Sequence, residues 1–168
     1  MCIRDRFTWS PTAKFSFNWS GFAGNTKPDS LRQLRYFQNI YAQWAPVPEW
    51  HFTTGLDFGL EQKSKSANRY YSWFAPIIQV SYSKQQWSFA ARAEYFNDVA
   101  GVIMPKVQQQ PFRMQSYSVS VNRNLGTFFS CRTEYRFFKH DGDYFLYNNQ
   151  LRATNQMFTT SLFVDFKR

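Results

Sequence analysis

The chain has 168 residues, enough for one domain, and its 19 Phe, 10 Tyr and 6 Trp are spread among many Ser, Thr, Asn and Gln. That mixture excludes an ordinary aliphatic core and suits a wall with one apolar and one wet face, while no run approaches the roughly 18 to 20 apolar residues of a transmembrane helix. The net charge of +9 comes from scattered Lys and Arg that form no basic run or basic helix, so nucleic acid is not an expected partner.

The first six residues, Met1-Cys2-Ile3-Arg4-Asp5-Arg6, resemble the translation of sequencing-adapter read-through. Residues 1–6 are therefore set apart as non-native and 7–168 are read as one β-barrel segment, and the missing signal peptide becomes uninformative. Cys2 and Cys131 have neither a metal spacing nor a disulfide framework, and Cys131 reads as a small apolar residue on a strand.

From there, period-two alternation predicts about eight strand-length segments, at 13–24, 33–45, 49–61, 71–83, 86–98, 113–123, 127–138 and 156–166. In the third, Trp50, Phe52, Leu56, Phe58 and Leu60 share one face and His51, Asp57 and Glu61 the other. The fourth contains Pro76, which removes a ladder hydrogen bond and predicts a bulge or a weak pairing. In the fifth, Trp87, Phe89, Ala91, Ala93 and Tyr95 oppose Ser88, Ala90, Arg92, Glu94 and Phe96, so a slip of one residue would put Arg92 and Glu94 in lipid. The sixth sets Tyr117, Val119 and Val121 against a stripe of serines. The seventh sets Phe129, Cys131, Thr133, Tyr135 and Phe137 against Ser130, Arg132, Glu134, Arg136 and Phe138.

Connections alternate in length. Short turns near Pro46-Val47-Pro48, Lys84-Gln85-Gln86 and Asn124-Leu125-Gly126 interleave with polar stretches at about 25–32, 62–70, 99–112 and 139–155. Short turns at one end and long loops at the other is the layout of an antiparallel up-and-down transmembrane β-barrel, with periplasmic turns and extracellular loops. Aromatics gather where two lipid interfaces would fall: Trp44, Trp50 and Trp87 beside turns, Tyr70, Tyr71, Tyr95 and Tyr135 toward the loops. A secreted β-sandwich shares the alternation but has shorter strands, usually about 5 or 6 residues.

One constellation repeats. Ala91-Arg92-Ala93-Glu94-Tyr95-Phe96 echoes Cys131-Arg132-Thr133-Glu134-Tyr135-Arg136, and counting from the preceding turns puts Arg92 and Arg132 at similar heights, two strands apart. Arg92, Glu94, Arg132, Glu134 and Arg136 thus form a candidate charge ladder on the inner wall, either a neutralised brace or a transverse field in a pore. Asp141, Asp143, Tyr144 and Tyr147 are loop candidates for stacking on a ligand, with packing against the barrel mouth as the plainer reading. His51, beyond a turn, and His140, in a loop, give no catalytic arrangement, and neither a catalytic site, a metal site nor a cofactor is predicted.

The motif Arg-x-Glu-Tyr-Phe-x-Asp-x-x-Gly at Arg92 to Gly101, set beside Arg132-Thr133-Glu134-Tyr135-Arg136, resembles a β-barrel porin family of Bacteroidota-type outer membranes over residues 33–166. The resemblance implies an outer-membrane location, lipid as the surrounding partner and a porin role. Members about twice this length imply a C-terminal fragment. The expected function is passive diffusion of small polar solutes or ions, by a non-enzymatic barrel that could form a homo-oligomer. The alternatives are a closed eight-stranded barrel for anchoring or adhesion and a secreted glycan-binding sandwich. Phe37, Tyr41, Trp73, Phe96, Phe138 and Phe163 crowd the inner face and favour a barrel larger than eight strands.

Overall fold

A computed structural model describes residues 3–25, 27–65, 67–106, 109–164 and 166, with the backbone alone at Asp29. The alternation is realised as β1 (Ile3–Thr12), β2 (Phe15–Asn25), β3 (Leu34–Val47), β4 (Trp50–Gln62), β5 (Tyr70–Lys84), β6 (Trp87–Asp98), β7 (Phe112–Asn124) and β8 (Phe129–His140). A small hairpin of β9 (Phe145–Tyr147) and β10 (Gln150–Arg152) precedes β11 (Thr154–Val164). Nine of these strands build one sheet in the order β1 to β8 and then β11, every neighbour antiparallel. The fold is an all-β, barrel-like meander. Strands β2 to β8 and β11 have 11 to 15 residues, at or above the roughly 9 to 11 that a tilted strand needs to cross a bilayer.

Register sorts every side chain to one of two faces. On one face Trp44 sits opposite Phe52, Ile40 opposite Leu56 and Thr54 opposite Ile78, and the series continues through Val80, Ala91, Val119 and Tyr135. On the other face Arg35 is opposite Glu61, Asn39 opposite Asp57, Gln79 opposite Arg92 and Ser120 opposite Glu134. Large apolar residues of the first face, among them Ile78, Val119, Phe158 and Leu162, are exposed. A water-facing sheet would not present so many, so this is the face that a membrane barrel would turn to lipid. All six crowding residues, Phe37, Tyr41, Trp73, Phe96, Phe138 and Phe163, lie on the inner face.

Turns join β1 to β2, β3 to β4, β5 to β6 and β7 to β8 at one end, and longer connections lie at the other. Burial is concentrated at the loop end. Glu61, Trp73, Asp98, Phe112 and His140 are all buried and all stand within a few residues of the loop-side ends of their strands.

Several expectations need correction. A ninth long strand, β1, extends the sheet, and Ile3 to Arg6 pair with Ala23 to Ser20; Met1 and Cys2 lie outside the described residues. The alternation of Phe7 and Trp9 with Thr8 and Ser10 is as regular as that of its neighbours, but is short enough to be missed when the first six residues are put aside. The stretch 139–155 is not a plain loop, because β8 runs on to His140 and β9 and β10 fold back as a hairpin. Pro76 weakens a pairing without a bulge: β5 and β6 lack the rungs at Ala75 and Pro76, yet the register on either side is the same.

The face assignment makes a direct prediction. Val119 is 57% exposed on the lipid-facing side near the middle of β7, and its neighbour Ser118 faces inward. Val119→Arg should lower the folding free energy into lipid vesicles by about 2–4 kcal/mol, whereas Ser118→Arg should cost much less. Equal losses in equilibrium urea titrations would contradict the assignment.

Candidate functional site

The inner face carries two groups of charge, placed by different parts of the sheet. The first joins β3, β4 and β5. Arg35 donates from Nε to Glu61 Oε2 at 2.7 Å, and Lys27, from the β2–β3 connection, approaches Glu61 Oε1 at 3.1 Å. The Arg35 guanidinium also lies over the Trp73 ring, 5.5 Å from its centroid. Four rungs away, on the same face, Asn39 donates to Asp57 at 2.5 Å. Trp73 fits because the residue directly opposite is Gly59: a Cβ there would stand 1.9 Å from Trp73 Cζ2. The missing side chain is the space that the indole fills, and the indole in turn floors Arg35.

The second group belongs to β6 and β8. Arg92 pairs with Glu94 at 2.6 Å; on β8, Glu134 holds Arg132 at 3.1 Å and Arg136 at 2.9 Å. Each pair joins residues two apart on one strand, neighbours on the same face. The expected equal height of Arg92 and Arg132 is not realised. Ser118 is opposite both Arg92 and Arg136, and Asn122 is opposite both Ser88 and Arg132, so Arg136 is the residue level with Arg92. Turn length and strand stagger share this offset of four residues, for Trp87, the first residue of β6, is level with Cys131, the third of β8. β5 and β6 are joined by two residues, Gln85 and Gln86, whereas four, Leu125 to Phe128, separate β7 from β8, so counting from a turn does not preserve height. Among the described residues no ion pair crosses from β6 to β8; the serines of β7 separate two within-strand sets.

Of the aromatic candidates all but Tyr71 stand on the apolar outer face, but not all near its rims. Trp50 contacts Tyr82 at 4.9 Å, Trp44 contacts Phe52 at 5.4 Å, and Trp87 stacks with Phe89 at 6.2 Å while Arg123 caps it at 4.9 Å, all beside the turns. Tyr95 is near the loop end of β6 against Phe74. Tyr135 lies mid-strand, and Tyr71 faces inward, opposite Glu61.

At the loop end, His140 is not a loop residue: it ends β8, almost wholly buried, with Tyr144 at 4.8 Å and Phe112 at 5.2 Å between ring centroids. Its Nε2 accepts from the Arg113 backbone N–H at 3.4 Å, and Nδ1 lies 2.9 Å from the Gly142 carbonyl oxygen. Tyr144 is thereby a packing residue of the mouth. Asp141 pairs with Arg113 at 3.6 Å, Tyr147 is exposed with Arg152 stacked 4.3 Å above it, and Asp143 is exposed. The structure does not bring Tyr147 and Tyr144 together with the two aspartates into one site. His51 lies on the inner face opposite Ser81, near a turn.

The sequence from residue 4 to residue 166 matches the family described as "Putative beta-barrel porin-2, OmpL-like". The chain belongs to that porin family. No curated protein and no solved structure matches it. Membership in this porin family agrees with the antiparallel sheet and the lipid-facing aromatics, and it implies a porin-like barrel of the outer membrane.

Sequence reading had noted Asp57 and Glu61 on a polar face but not their partners, because Arg35 and Trp73 become neighbours only once the registers of three strands are known. The signal available was Gly59 itself, a glycine inside a strand, which often marks a close approach by another group. Gly59→Ala should drive Trp73 from its seat and lower stability by about 1–3 kcal/mol, the usual cost of overpacking. A urea midpoint in detergent micelles unchanged from that of the parent protein would show that the indole is free to yield.

Proposed function

We propose that this sheet is wall of an outer-membrane porin whose charged inner face lets small polar solutes or ions diffuse passively. The observation that carries the reading is the partition of charge. The Arg35–Glu61, Arg92–Glu94 and Arg132–Glu134–Arg136 sets all stand on the concave side, and mid-strand β7 presents only short serines between two of them. A filled barrel would knit such charges together across its interior. Here Arg35 pairs with Glu61 on the neighbouring strand, the other two sets stay within β6 and within β8, and none of them spans the interior.

Two exposed edges support a larger barrel. Among the described residues β1 and β11 share no ladder, and as first and last of nine antiparallel strands they run in the same direction. Bringing them together would make a parallel pair, whereas an odd number of further strands would close the wall antiparallel throughout. We take those strands to belong to a longer chain of which this is one segment. Lipid is the surrounding partner, and the barrel acts without a cofactor or chemical step.

A second reading, an anchor that does not conduct, is favoured by the packed mouth around Phe112 and His140. Planar-bilayer recordings separate the two. Arg92→Ala and Arg132→Ala each leave a glutamate less neutralised, so cation preference should rise; one unit charge at about 8 Å in water is worth about 0.5 kcal/mol, roughly a twofold change in permeability ratio. Unchanged reversal potentials in both variants would remove the permeation reading, and an absence of any conductance would favour the anchor.

A further inference from the structure

The connection from β6 to β7 turns inward, and one buried carboxylate holds its first half. Asp98, the last residue of β6, is 0% exposed. Its Oδ1 accepts from the Val102 N–H at 2.9 Å, and its Oδ2 accepts from Ile103 and Met104 N–H at 2.7 and 3.0 Å. The Asp98 carbonyl also accepts from Gly101 N–H at 3.2 Å, with Gly101 in the left-handed region at a φ of 73°. Four successive amides, Gly101 to Met104, therefore converge on one residue. A hydrogen bond to an ionised acceptor is about twice as strong as a neutral one, and three of them lock this turn to the wall.

The consequence is where Ile103 ends up. Its side chain lines a cleft of about 680 Å³ on the concave face with Arg35, Asp57, Trp73 and Phe96. It also lines a second cleft of about 520 Å³ with Tyr41, Asp57, Glu94 and Phe96. Ile103 thus stands where the two spaces meet, among aromatic as well as charged side chains, and is 43% exposed rather than packed away.

We propose that Ile103, held inward by Asp98, is a size-determining residue of the passage, a step that solutes must pass between the Arg35–Glu61 region and the Glu94 region. This rests on the porin reading of the preceding section. Asp98 is a positioning residue: it acts through the turn it anchors.

The test uses the closed barrel, this segment together with its remaining strands, refolded in detergent, with Cys2→Ser, Cys131→Ser and any further cysteine removed so that Ile103→Cys is the sole thiol. A nitroxide at that position should show restricted motion, and adding Asp98→Asn should release it, since a carboxamide has one acceptor oxygen and turns an N–H donor toward amides that also donate. In bilayers, Ile103→Ala, a substitution with little bearing on folding, should raise unit conductance, and a charged thiol reagent on Ile103→Cys should lower it. A conducting protein with the same unit conductance in the parent, Ile103→Ala and Asp98→Asn forms would overturn the inference alone. A label restrained by Asp98 in a protein that never conducts would instead overturn the porin reading, and the passage role with it. A label already mobile in the parent background would overturn the inward anchoring.

Discussion

In hydrocarbon an unpaired peptide group costs several kcal/mol, so a strand that crosses a bilayer must find its partners in neighbouring strands. The ladder from β1 through β8 to β11 meets that demand, and in doing so fixes everything else, because side chains alternate with a period of two and a paired strand has no freedom to rotate. Arg35, Arg92 and Arg136 face inward as a consequence of backbone pairing. The exposed Ile78, Val119 and Leu162 follow from the same rungs, and so does the seat of Trp73 over Gly59.

This explains why the sequence showed so much of the wall. A period of two is visible in one chain, and Trp87 to Phe96 or Phe129 to Phe138 need no partner to declare their faces. The bounds of eight strands came within a few residues of those observed for that reason. What depended on several strands at once was hidden: the level of Arg92 with Arg136 follows from the unequal lengths of two turns and the stagger between their strands, and the meeting of Arg35, Glu61 and Trp73 from three registers together. Where expectation counted residues from a turn, two residues of turn length and two of strand stagger carried the count to the wrong arginine.

The loop end obeys different rules from the wall. Beyond the bilayer, polar groups can be satisfied by water, so burial there needs its own cause, and the connections supply it. Asp98 gathers four amides, while Phe112, His140 and Tyr144 pack ring against ring and, with the Arg113–Asp141 pair, bind the start of β7 to the end of β8 and the connection that follows it. Asp98 was legible as part of a family-like motif, but its work was not, since a carboxylate that folds its own following turn looks in sequence like any loop-edge acid.

The gap at Pro76 gives the wall a grain. With the rungs at Ala75 and Pro76 missing, β5 and β6 meet through fewer bonds than the strands around them, and the rings of Phe74 and Tyr95, 5.8 Å apart, lean together on the lipid side beside the breach. The meander is thereby divided into two panels, one ending in β5 and the other beginning with β6. Local opening in proteins follows the weakest cooperative boundary. The Arg35–Glu61 set travels with one panel and the two arginine–glutamate sets of β6 and β8 with the other, so a hinge along this seam would widen or narrow the space between them without breaking a single ion pair.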